Sequence, residues 1–176
     1  MHIIHASKKY DIPLLTKACV EFMDKGLDAS NVLTVLEHSI FFEEKDLSKK
    51  CMEIVGRNTK DVFNSDPFMD ITQDALTYVL DSDDLNMEEI DIFKRCCQWA
   101  EKNNSKKPTR EVLGKALYKI RFPTMTLADF TNTVQPTNLL TMEEMVGIYK
   151  YLSVPEDKNK PSSFVCTKRK PKGSYI

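Results

Sequence analysis

Three groups of side chains in this 176-residue chain are of types that do chemistry, and in each group the spacing fails. His2 and His5 stand three apart, so a helix would aim both at one metal, yet no acid or thiol at a matching distance completes a ligand set. A frayed terminus accounts for them. Asp81, Asp83, Asp84, Glu88 and Glu89 have the composition of a calcium loop. That loop needs Gly at its sixth position and Glu at its twelfth, and counting from Asp81 these are Asn86 and Ile92. Glu88 and Glu89 read instead as first-turn acids at the positive end of a helix dipole. The cysteines, Cys19, Cys51, Cys96, Cys97 and Cys166, form no C-x-x-C pair, and their odd number fits reduced thiols in a core, with Cys97 reading as buried packing. His38 lies between apolar helix positions and reads as a surface or boundary residue, not a base.

No G-x-S-x-G elbow, G-x-x-x-x-G-K-[ST] loop, G-x-G-x-x-G turn or H-E-x-x-H helix occurs. The expectation is a chain with no enzymatic activity, no cofactor and no metal. The triplet NNS at 103–105 matches a glycosylation acceptor but matters only in a secreted protein. No apolar run reaches the eighteen or more residues of a membrane span, and the N-terminal MHIIHASKKYD lacks the features of a signal peptide. A cytosolic or nuclear place follows, with the cytoplasm as the expected one and no membrane partner.

The elements that carry these residues are helical. With 41% hydrophobic residues, 29% charged and only five glycines, few turn signals interrupt the long amphipathic stretches, and the fold class read from this is all-α. Pro13 after Asp11-Ile12 opens one helix, with Leu14, Leu15, Ala18, Cys19, Phe22 and Met23 on a face that Lys25-Gly26 closes. Val32, Val35, Leu36 and Ile40 stripe the next, capped by Asp28 or Ser30. Only FFEE separates it from a helix over about 44–63 with Leu47, Cys51, Ile54, Val55 and Val62 inside, so the two form an antiparallel hairpin with Phe41 and Phe42 near the bend. NSDPFMDIT reads as loop, and Thr72 opens a short helix through Leu80.

Asn86 with Glu89 has the outline of a capping box for a central helix carrying Ile90, Phe93 and Cys97, widened by Ile92, Cys96 and Trp99. KNNSKKP is loop, and Thr109 caps a helix with Val112, Leu113, Ala116, Leu117 and Ile120 inside. That helix must stop at Arg121-Phe122-Pro123, because an interior proline costs roughly 3 kcal/mol. Phe122 then fills the core at the corner, and Arg121 either bonds carbonyls at the end of the helix before it or faces solvent. Thr126 with Asp129 starts a short helix, and Thr141 with Glu144 starts the last, through Met145, Val146, Tyr149 and Leu152.

Residues 153–176 hold six Lys/Arg against two acids, a balance of +4, so a net charge of −1 leaves −5 on the body. With three prolines and no apolar period, this stretch reads as a disordered linker or tail. The run KRKPK at 168–172 reads as a solvated linker or a nuclear address. A basic tail on an acidic body does not describe a nucleic-acid-binding fold, and no nucleic-acid partner is expected.

The order of these motifs resembles the end of a BTB domain running into a BACK domain, the helical module of cullin-3 adaptor proteins. The likeness rests on ASKKYDIPLLTKACVEFMDKGLDASNVLTVLEHSIFFEEKDLSKKCMEIV, LNMEEIDIFKRCCQWAEKN and LGKALYKIRFPTMTLADF. It divides the chain into 1–26 (last BTB helices), 27–152 (BACK) and 153–176 (basic linker), and CTKRKPKG is similar to the linker before a PHR domain in one BTB-BACK group. The resemblance implies a non-catalytic substrate adaptor of a cullin-3 ubiquitin ligase, with the first hairpin, 28–63, as a 3-box-like docking surface. The implied contacts are Leu33, Leu36, Glu37, Ile40, Phe41 and Phe42. Leu36 and Ile40 lie on the core stripe, while Leu33 and Phe41 lie off it and are the favoured contacts. The sheet and dimer face of a BTB domain fall outside 1–176, so the expectation is weak cullin-3 binding, no BTB-type homodimer and a substrate held by another domain. A helical interaction scaffold with no ligase role is the alternative.

Overall fold

Pro13, with no amide hydrogen to lose, occupies the first position of helix α2 (Pro13–Lys25), which pairs with α1 (His2–Lys9). The computed structural model describes residues 2–104 and 106–171, and among these every regular element is helical. The side chains of His2 and His5 lie outside the described residues, as do Ser105 of the NNS triplet and Lys172. No described helix is long and apolar enough to cross a membrane.

Helices α3 (Val32–Phe41) and α4 (Lys45–Arg57) form the expected hairpin, and α3 also rests on α6 (Gln73–Leu80) and on the 3-10 turn Asp66–Asp70 before it. The helix expected over 44–63 is broken after Arg57 and resumes as α5 (Thr59–Asn64). The cause is local. Asn58 Nδ2 donates to the Ile54 carbonyl at 3.0 Å and Thr59 Oγ1 to those of Val55 and Gly56, both at 2.9 Å. The Thr59 hydroxyl thus takes the Val55 and Gly56 carbonyls that a continuing helix would use. The expected loop over 64–72 is likewise part 3-10 turn, held by Phe68, whose buried ring stacks on Phe63 at 4.5 Å. Thr72 caps α6 as its type and position predict, accepting from the Ala75 amide.

The central helix α7 (Glu89–Asn104) starts later and ends later than expected. Asn86 does not cap it: the Asn86 amide donates to Thr59 Oγ1 at 2.9 Å, and the Glu89 carboxylate turns inward. The face centres on Ile92, Phe93, Cys96, Trp99 and Ala100; Cys97 is only half-buried, which corrects the expectation that it is the packed thiol. The Trp99 indole is buried with its N–H on the Ile71 carbonyl at 3.0 Å, so its polar atom costs nothing.

The helix expected from Thr109 to the corner is two pieces. Pro108 holds the cap position, α8 (Thr109–Leu113) follows, and Gly114 at φ 49 turns the chain into the 3-10 segment Gly114–Lys119. At the corner Phe122 is buried as expected, edge-on to Phe93 at 5.6 Å and Phe130 at 6.3 Å, with Pro123 buried beside it. Arg121 follows neither sequence alternative. It is buried, and it donates from Nη1 to the Thr167 carbonyl at 3.0 Å and from Nη2 to Asp83. Thr126 caps α9 (Leu127–Asp129), which runs on through the π turn Phe130–Val134, and Thr141 with Glu144 forms a complete capping box for α10 (Met142–Ser153).

The disorder expected beyond residue 152 is corrected over 161–171. Phe164 is buried, stacked on Tyr118 at 5.6 Å and edge-on to Phe122 at 5.3 Å, and the Lys170 amide donates to the Asp83 carbonyl at 2.8 Å. Phe164 and Arg169, each too isolated to register as a period in the sequence, are the two side chains that pack the stretch onto the body.

Candidate functional site

The first hairpin is built to be rigid up to its turn. Asp28 Oδ1 takes the Ser30 hydroxyl at 2.6 Å and the amides of Ser30 and Asn31 at 2.8 and 3.2 Å, and these bonds hold its carboxyl below the usual range. The α3–α4 seam buries Val32, Val35 and Leu36 against Leu47, Cys51 and Val55. Near the turn it narrows to a pair of serines. Ser39 Oγ lies 2.8 Å from Ser48 Oγ, with the Leu36 carbonyl 2.7 Å from the first and the Glu44 carbonyl 3.1 Å from the second, so one proton serves the pair and the other a carbonyl. Small, satisfied side chains let the helices close there.

The turn pushes aromatic surface outward. Glu43 adopts φ 59, and the Glu44 amide reaches back to the Ser39 carbonyl at 2.8 Å. Phe41 is left 72% exposed, with its ring edge-on to the half-buried Phe42 at 5.0 Å. His38 also stacks on Phe42, at 6.5 Å, and burial pushes its imidazole pKa down, which favours the neutral form at pH 7.

The remaining contact positions divide clearly. Leu36 is fully buried, and Ile40 is half-buried against the core. Leu33, favoured from the sequence as an outward residue, is 2% exposed. That expectation is corrected: α3 is covered by α4 on one side and by α6 and the Asp66–Asp70 turn on another, so its apolar face is wider than the stripe shows. Glu37 accepts the Thr72 amide through Oε1 at 2.6 Å, tying the hairpin to the start of α6. Of the six, Phe41 alone lies open on the surface.

A second surface beside the hairpin was missed as a site, though Leu14 and Phe22 were read as part of one apolar face. Leu14 and Phe22 on α2 are 82% and 80% exposed. An open groove of about 650 Å³ between α1 and α2, walled by Ile12, Thr16 and Val20, reaches Glu44 at the hairpin turn. Among the described residues no group of three or more His, Cys, Asp or Glu is placed to hold a metal ion.

The BACK family, described as BTB And C-terminal Kelch, matches residues 32–135. Human BTB/POZ domain-containing protein 6 is 35% identical over 175 residues, covering 95% of this chain and 32% of that protein. Mouse BTB/POZ domain-containing protein 3 is 36% identical over 174 residues, covering 95% of this chain and 32% of that protein. The chain spans about a third of the length of these curated relatives. The match takes in the hairpin, the central helix and the Arg-Phe-Pro corner together, and on that ground the chain belongs to the BACK family.

Proposed function

We propose that this chain is the BACK part of a substrate adaptor for a cullin-3 ubiquitin ligase, acting in the cytoplasm as a non-catalytic spacer and a partial cullin-docking surface. The observation that carries the reading is Phe41, a large apolar side chain held in the open at the turn of a rigid hairpin. A side chain so placed is wasted on folding and suits a partner's pocket. Phe42 and Ile40 support it from below, Glu37 fixes the hairpin to the body, and Leu33 and Leu36 contribute by packing and not by contact.

The groove beside Glu44 and the exposed face of α2 extend the apolar surface toward the side where the resemblance puts the BTB domain. A specific interface generally buries about 1,000 Å² or more in total. One hairpin turn supplies less, so this chain binds weakly by itself and more tightly when joined behind a BTB domain. Substrate is held by another part of the whole adaptor.

Titration of the N-terminal part of cullin-3 against the chain joined to a BTB domain tests the reading. Binding tighter than that of the BTB domain alone is expected. Equal affinity of the BTB domain alone and of the joined protein would remove the docking role and leave a helical interaction scaffold.

A further inference from the structure

The second residue of the basic run at 168–172, Arg169, has its side chain inside the molecule. The Arg169 side chain is 4% exposed, and its guanidinium donors converge on acceptors from three separate segments. Nε donates to Glu89 Oε2 at 2.9 Å and Nη2 to Glu89 Oε1 at 3.1 Å, a two-pronged pair. Nη1 donates to the carbonyls of Leu80, at 2.9 Å, and Ser82, while Nη2 also reaches the Lys119 carbonyl at 3.2 Å. The Leu80 carbonyl stands at the C-terminal end of α6, where the helix dipole favours a cation.

This cage is set by the body of the fold. Glu89 Oε1 also takes the Arg121 amide at 2.8 Å, so the carboxylate is held by the Arg-Phe-Pro corner as well as by its ion partner. Five donors in a planar fork match these acceptors, and the three donors of a lysine ammonium do not. The segment that delivers Arg169 is fastened at Phe164, at the Thr167 carbonyl by Arg121 Nη1 at 3.0 Å, and at Arg169-Lys170, with the side chains of Val165, Thr167 and Lys168 exposed between.

We propose that Glu89 with the Leu80, Ser82 and Lys119 carbonyls is a binding site for an arginine-bearing peptide segment, filled in cis by the chain's own strap, residues 161–171, as a releasable latch. While the latch is closed, Lys168 and Lys170 are exposed without the arginine between them, so the basic run is not presented as a unit. Release uncovers the run and opens the cage together. The inference stands apart from docking at the first hairpin, which uses none of these residues.

The test is fluorescence polarisation with a labelled peptide of residues 161–171 against the full chain. The Arg169→Ala chain, its cage open, is expected to bind the peptide at least about tenfold tighter than the wild type, whose cage is filled. Adding Glu89→Gln to that chain is expected to abolish binding, and a peptide carrying Arg169→Lys is expected to bind at least about tenfold more weakly. Equal binding by wild-type and Arg169→Ala chains, or no binding by an Arg169→Ala chain with unchanged helicity, overturns the proposal. Should Arg169→Ala fail to fold, amide exchange in the wild type decides. The Lys170 amide, on the Asp83 carbonyl, is expected to be protected, and Glu89→Gln to release it while α10 keeps its protection; a Lys170 amide exchanging at the unstructured rate overturns the latch.

Discussion

Arg110 and Glu144 meet as a two-pronged pair, Nη1 to Oε2 at 2.8 Å and Nη2 to Oε1 at 2.9 Å, while Glu144 Oε2 also accepts the Thr141 amide at 2.8 Å. One carboxylate therefore caps α10 and ties it to α8. Arg110 adds bonds to the Leu139 carbonyl and the Tyr118 hydroxyl, both at 2.9 Å, so the pair is the centre of a satisfied network.

The Arg110 guanidinium, followed by the cap bonds, holds the Glu144 carboxyl below its usual range. A depressed folded-state value means that stability is present above the unfolded carboxyl's pKa of about 4.3 and is lost as pH falls through the folded value. Glu144→Gln keeps a capping side chain and removes the charge, and is expected to cost about 1–2 kcal/mol at pH 7. Urea melts should show wild type and variant converging in acid. A gap that stays constant from pH 7 into acid contradicts the ion-pair account.

Phe122→Ala is expected to cost about 3–5 kcal/mol, because the ring is buried among Phe93, Phe130 and Phe164 and its loss leaves a cavity at the corner. Phe41→Ala, at the exposed turn, is expected to change stability by no more than about 0.5 kcal/mol. Denaturant midpoints of the two variants check the contrast.

Gly114→Ala is expected to cost more than about 1 kcal/mol, since φ 49 strains any side chain. A Cβ there would also stand 2.7 Å from Gln73 Nε2, which donates to the Val112 carbonyl at 2.7 Å. Adding Gln73→Ala removes the clash but not the strain, so melting of the double variant should still show a deficit relative to Gln73→Ala alone.

Burial pushes the thiols of Cys51 up to about 12 and Cys97 up to about 11, and Cys96 well above its ordinary value. Thiolate, the reactive form, is correspondingly scarce. In maleimide labelling near neutral pH, read by mass spectrometry, Cys51 and Cys96 should react only when denaturant opens the fold. Labelling of either at the unfolded-chain rate would contradict the packing described.

What was legible in the sequence was what is decided within three or four residues. Thr72, Thr126 and Thr141 cap helices through bonds to amides three residues on, and Pro13 marks a start by geometry alone. Asn86 with Glu89 and Thr141 with Glu144 share the same local pattern, yet only the second forms a box. Glu89 has a stronger claim on it from Arg169, eighty positions away. No local window contains that partner. Phe164 was unreadable for the same reason, its packing partners Tyr118 and Phe122 lying far back in the chain. Phe41 lies exposed at the hairpin bend, as the short connection implies, whereas Leu33 is buried, because a second layer behind α3 leaves no trace in the helix's own stripe.

Phe41 at the hairpin turn is the proposed cullin-3 anchor. Calorimetric titration of the N-terminal part of cullin-3 against the chain joined to a BTB domain, wild type beside Phe41→Ala, tests it most directly. A loss of affinity of about thirtyfold, or roughly 2 kcal/mol, with unchanged melting is expected. Identical affinities for the two chains would contradict it.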